Sequence, residues 1–91
     1  MENAVQLLIS GRVQNVGYRY WARSSAIQLG LRGWVRNLED GRVELLAIGP
    51  TAELDQLIAA CHIGPTSADV RDIAISDIQA PNVVQGFEIQ A

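Results

Sequence analysis

The stretch Leu31–Ile48, LRGWVRNLEDGRVELLAI, decides the fold. Leu31 to Asn37 reads as an extended strand, Leu38-Glu39-Asp40-Gly41 as a turn, and Arg42 to Ile48 as a second strand. Two apolar-rich runs around a turn of this composition make a β-hairpin. Upstream, Tyr18 to about Leu29 carries Ala22, Ala26 and Leu29 on one face at helical spacing. Gly30 is placed to end that helix in a left-handed conformation. Further upstream lie a loop, Gly11 to Gly17, and a strand, Ala4 to Ser10, with Val5, Leu7 and Ile9 alternating onto one side.

Downstream of the hairpin, Gly49-Pro50 breaks the chain, and Thr51 is a suitable N-cap for a second helix reaching about His62. Leu54, Leu57, Ile58 and Cys61 share its apolar face. Gly64-Pro65 breaks again. Val70 to Ile78 reads as a fourth strand, Pro81-Asn82 as a loop, and Val83 to Ile89 as a fifth strand containing Phe87. The order β-α-β-β-α-β plus one short strand predicts an α+β fold: a ferredoxin-like two-layer sandwich, one mixed sheet with both helices on one face. With 91 residues, residues 1–91 are expected to form a single domain.

That topology has a consequence for function. The first β-α-β unit is right-handed, so the first and second strands run parallel with the third between them. The loop after the first strand and the end of the second then meet at one edge, roughly 10 Å apart, two strand spacings. Asn37 is thereby expected to face the 11–19 loop across a gap able to hold a phosphate and a water.

Composition removes several function classes. The formal net charge is −3, which disfavours nucleic-acid and anionic-membrane binding. No apolar run approaches a membrane span. Cys61 is the single cysteine and His62 the single histidine, so neither an internal disulfide nor a zinc ligand set is available. The start, Met1-Glu2-Asn3-Ala4, shows no secretory leader, and a cytoplasmic protein is expected. All seven basic residues are arginine; the bland explanation is compositional drift, although arginine suits forked phosphate contacts.

The chemistry-bearing segment is Gly11 to Arg19, GRVQNVGYR. A glycine-containing loop entering a helix offers free N–H groups and the positive end of the helix dipole. Arg19 stands where a cation is unfavourable unless an anion is also bound. Asn37 has two open readings, a site residue or a strand-ending turn residue. His62 at a helix end suits bonding to terminal carbonyls. Trp21 and Trp34 suit core or rim packing better than a stacking pair. Asp69, Asp72 and Asp77 read as a solvated face, and no nucleophile motif surrounds Ser24 or Ser25.

An anion cradle, an arginine and an amide, without an evident nucleophile or general acid, restrict the reaction. An alkyl phosphate ester expels a poor alkoxide, which needs a proton donor or a metal. An acyl phosphate expels a carboxylate, stable near neutral pH because its conjugate acid has a pKa of about 4. Positioning and charge stabilisation then suffice.

Gly11-Arg12-Val13-Gln14-Asn15-Val16-Gly17-Tyr18-Arg19 resembles the first signature of the acylphosphatase family. Gly33-Trp34-Val35-Arg36-Asn37, followed by Gly41, Val43 and Gly49, resembles its second. The resemblance covers nearly the whole chain. It implies hydrolysis of the carboxyl-phosphate anhydride bond of small acyl phosphates. Arg19 would bind the phosphate, and Asn37 would hold the attacking water. The N–H groups of Gln14, Asn15, Val16, Gly17, Tyr18 and Arg19 would form the cradle. No metal or cofactor and a monomeric state are implied, with the water proton passing to the substrate's own phosphate. Acylphosphatase-like domains also occur within larger carbamoyl-handling proteins, so the alternative is a phosphate- or carbamoyl-phosphate-binding module with little or no activity. RNA binding by the sheet is disfavoured by the acidic charge.

One departure stands out. The family usually has Gly where this chain has Asn15. Asn tolerates a left-handed backbone, so the loop is still expected to form. At the C-terminus, a fifth strand parallel to the second would bring the Ala91 carboxylate near Arg19.

Overall fold

In a computed structural model, residues 2–81 and 85–90 are described. The alternation Val5, Leu7, Ile9 runs inside β1 (Asn3–Arg12), longer at both ends than its apolar pattern. After the loop come α1 (Tyr18–Gln28), β2 (Arg32–Asn37) and β3 (Val43–Gly49). Then follow α2 (Thr51–Ile63), β4 (Asp69–Ile78) and β5 (Phe87–Ile89). The sheet order is β4-β1-β3-β2-β5, with β3 antiparallel to both β1 and β2, and β5 parallel to β2. This is the ferredoxin-like α+β sandwich expected from the sequence, with β3 splitting the first β-α-β unit.

The register determines which side chains meet the helices. Ile9 pairs with Val43, Leu7 with Leu45 and Val5 with Ala47. Across β3, Asn37 pairs with Val43, Val35 with Leu45 and Gly33 with Ala47. Directly opposed residues share a face. These positions therefore line the side that carries Ala22, Ala26, Leu54, Leu57 and Cys61 of the two helices, all in one buried cluster. The open side holds Gln6, Leu8, Trp34, Arg36, Glu44 and Leu46 by the same alternation.

Two local expectations are corrected. Thr51 is the first residue of α2 and not its cap; Pro50 takes that place in an extended conformation. Its carbonyl accepts from Leu54 N–H at 3.0 Å, while the Thr51 hydroxyl accepts from the Asn3 side chain. The fifth strand is short: Gln85 and Gly86 precede it without strand structure, and Val83 and Val84 lie outside the described residues. Trp21 and Trp34 pack separately, as their sequence reading preferred. Trp21 meets Tyr18 on α1, with ring centroids 5.9 Å apart, and Trp34 lies under Arg36 on the open side. His62 is exposed, and its side chain makes no hydrogen bond to the described residues. Asp69, Asp72 and Asp77 are all exposed, as a solvated edge requires.

Candidate active site

The loop between β1 and α1 is pinned by its apolar side chains. Val13 is buried, Val16 packs on the core, and Tyr18 is buried at the first position of α1. The Tyr18 hydroxyl donates to the Cys61 carbonyl at 2.8 Å, tying the start of α1 to the end of α2. Between these anchors the backbone turns left-handed at Asn15, φ 62°, and at Gly17, φ 78°. Such turns aim successive N–H groups to one side. None of the N–H groups from Gln14 to Arg19 finds an acceptor among the described residues. α1 has no side-chain cap and no acidic residue in its first turn, so its positive end is not neutralised there.

Arg19 extends from that first turn toward β5. One guanidinium nitrogen donates to the Gln90 carbonyl at 3.4 Å, a long bond. Gln90 N–H in turn donates to the Val35 carbonyl at 2.9 Å, two residues before Asn37. Arg19 and Asn37 are thereby brought to the same rim, where β2 and β5 end. Arg23, one turn along α1, donates to the Phe87 carbonyl at 3.0 Å and holds the other end of β5. Ala91 lies outside the described residues, and so does its expected pairing with Arg19.

Asn37 ends β2. Its position opposite Val43 sends the side chain to the helix side, the side of the loop. Its Oδ1 is buried and has no hydrogen-bond partner among the described residues. Buried acceptors are usually paired, and leaving one unpaired costs on the order of 1–3 kcal/mol. Such an acceptor is suited to a ligand or a water.

Gln14 makes a link that no sequence pattern signals. Its Nε2 donates to the Leu38 carbonyl at 2.8 Å and to the Arg42 carbonyl at 2.9 Å. A side chain meeting main-chain carbonyls of a distant turn leaves no periodicity or motif to read. The same holds for the Arg19 and Arg23 contacts with β5. Asn15 is exposed, and its side chain makes no hydrogen bond among the described residues.

The family model described as Acylphosphatase matches residues 5–89. The chain belongs to the acylphosphatase family. An acylphosphatase of Trichormus variabilis is 44% identical over 86 residues, covering 94% of this chain and 84% of the relative. One from Methylococcus capsulatus is 51% identical over 77 residues, covering 79% of this chain and 84% of the relative. The crystal structure of acylphosphatase from Bacillus subtilis superposes with a TM-score of 0.94 at 35% identity, covering all of both chains. Family membership makes the chain a hydrolase with the chemistry of an acylphosphatase.

A cleft of ≈ 610 Å³ lies elsewhere, between α2 and the start of β1, and shares no residue with this rim. Asp55 and Asp77 line it and no basic residue does, so it repels a phosphate. Among the described residues no group of three or more His, Cys, Asp or Glu side chains is arranged to hold a metal ion. Among the described residues no helix is long and apolar enough to cross a membrane.

Proposed function

We propose that the rim formed by the Gln14–Arg19 loop and Asn37 hydrolyses small acyl phosphates to a carboxylate and inorganic phosphate. The phosphate sits in the N–H groups of Gln14, Asn15, Val16, Gly17, Tyr18 and Arg19, with the Arg19 guanidinium as a permanently charged fork. The Asn37 carboxamide accepts a hydrogen bond from a water and holds it in line with the bond to be broken. The water oxygen attacks phosphorus, the anhydride P–O bond breaks, and its electron pair leaves on the carboxylate. The water proton passes to a phosphate oxygen. The single acidic domain acts as a monomer in the cytoplasm, in keeping with a net charge of −3 and one buried thiol.

One observation carries this reading. Among the described residues the buried Asn37 Oδ1 has no partner, nor do the amides of the loop that Gln14 ties to the neighbouring Leu38. Donors for an anion and an acceptor for a water are available at one rim.

The test is kinetic. Asn37→Ala is expected to lower kcat by about 100-fold or more, with phosphate inhibition little changed. Arg19→Ala is expected to lower kcat and to weaken competition by inorganic phosphate, because a charged clamp on the anion is lost. Ordinary turnover in either folded variant removes that residue from its role. Tight phosphate binding without hydrolysis by the parent protein would instead support the binding-module alternative.

A further inference from the structure

We infer that the Gln14 side chain is a positioning residue, which sets the Asn37 carboxamide against the loop by fastening the β2–β3 turn. Gln14 is the second residue after β1, and its backbone lies within the loop. Its side chain leaves the loop and reaches the turn that follows Asn37.

The hydrogen-bond pattern is complete. A side-chain amide nitrogen carries two protons, and here one goes to each of two carbonyls, Leu38 at 2.8 Å and Arg42 at 2.9 Å. Each carbonyl also takes one bond within the turn. Leu38 N–H donates to the Arg42 carbonyl at 2.8 Å, and Gly41 N–H to the Leu38 carbonyl at 3.3 Å. The two lone pairs of each oxygen are thus used. The reversed amide would set Oε1 against two carbonyl oxygens, so the chemistry fixes the orientation.

The consequence falls on Asn37, the residue immediately before Leu38. Asn37 is the last paired residue of β2. Its Oδ1 has no partner among the described residues to steer it. The backbone on either side must therefore set its direction: the pairing with Val43 on one side, the Gln14-bound turn on the other. Without the two Gln14 bonds, the turn keeps its internal bonds but loses its tie to the loop. Asn37 then moves relative to the N–H groups by a fraction of an ångström or more. Reactions that rely on positioning are sensitive to such shifts.

This role rests on the reading of Asn37 as the water-holding residue, and the experiment separates the two. The variants are Gln14→Met, close in size but without donors, Asn37→Ala, and the double variant. For each, kcat, KM with benzoyl phosphate and the inhibition constant of inorganic phosphate are measured. Gln14→Met is expected to lower kcat by about 10- to 100-fold while phosphate inhibition moves less than about twofold. The double variant is expected to be no slower than Asn37→Ala alone, because there is no carboxamide left to position.

Three results overturn the inference: kcat of Gln14→Met close to the parent value with Asn37→Ala slow, phosphate inhibition weakening in step with kcat, or the same further drop in the Asn37→Ala background. Normal turnover by Asn37→Ala overturns the reading of Asn37 itself, and the role of Gln14 with it. A measurement on the unaltered protein covers a variant that does not fold. By NMR, the Gln14 side-chain amide protons are expected to exchange with solvent at least about tenfold more slowly than those of exposed Gln28 and Gln56. Equal rates would mean that the bonds are not held in solution.

Discussion

Arg36 on β2 and Glu44 on β3 face each other across the open side of the sheet, guanidinium to carboxylate at 2.6 Å. The next pair along the same strands is Asn37 with Val43. Because side chains alternate, an ion pair held on the open side sends Asn37 to the helix side. A slip of one residue would exchange them and remove the carboxamide from the rim.

The two partners of that ion pair are unequally buried. The Glu44 side chain is 10% exposed and that of Arg36 43%. Gln6 also donates to Glu44, at 2.5 Å. Arg36→Met leaves a nearly buried carboxylate with only that amide, at a cost of about 1–3 kcal/mol. Glu44→Gln leaves an arginine that turns to water, at a smaller cost. Urea unfolding of both variants checks the order; the reverse order would refute the assignment of Glu44 as the buried member.

Tyr18 and Cys61 predict the alkaline limb of stability. Burial, with the neighbouring Cys61 charge, pushes the Tyr18 hydroxyl far above its ordinary 10.0. Burial likewise raises the Cys61 thiol from 9.0 to about 11. Both groups stay protonated in the folded chain while the unfolded chain loses its protons. Stability is therefore fully present below about pH 9 and falls as pH rises beyond it. Tyr18→Phe removes the tyrosine part of that fall. At neutral pH it costs about 1–2 kcal/mol, because the Cys61 carbonyl loses its side-chain donor. Thermal melts of parent and variant from neutral pH to about 11 measure both effects.

Asn15 has φ 62° and exposes its side chain. Asn15→Ala is expected to lose about 1 kcal/mol, the usual penalty of a left-handed backbone with a plain Cβ. Asn15→Gly is expected to hold the loop and to leave phosphate inhibition unchanged. Melting temperatures and inhibition constants of the two variants decide it.

Gly33 is the second residue of β2, with φ 147°. An added Cβ would stand 1.8 Å from the Leu46 carbonyl oxygen, in the neighbouring strand. Gly33→Ala is expected to cost on the order of 4 kcal/mol or more, or to prevent folding. Gly41→Ala, also at positive φ but with nothing within 4 Å, is expected to cost far less. Comparable melting temperatures for the two would contradict the close approach at Gly33.

Much of the fold was legible because burial imposes period. Val5, Leu7 and Ile9 alternate, Ala22 and Ala26 repeat at helical spacing, and all five are buried. The hairpin and the split topology followed, and with them the rim. Thr51 misled because a hydroxyl beside a helix start has other partners, here Asn3. The fifth strand was overdrawn because Phe87–Ile89 pairs in parallel with β2, a contact set by tertiary packing and not by local pattern. The loop and Asn37 were readable as candidate residue types, and their roles stand as the proposal above. The Gln14 bonds to the turn were not, since main-chain acceptors are chemically alike at every position.

The loop, Arg19 and Asn37 are proposed to share one anion site. A crystal structure with inorganic phosphate bound tests it most directly. The ion is expected against the Gln14–Arg19 amides and the Arg19 guanidinium, with Arg19 released from Gln90 and the Asn37 carboxamide one water away. Phosphate bound elsewhere, or an Asn37 side chain turned to the open face beside Arg36, would contradict it.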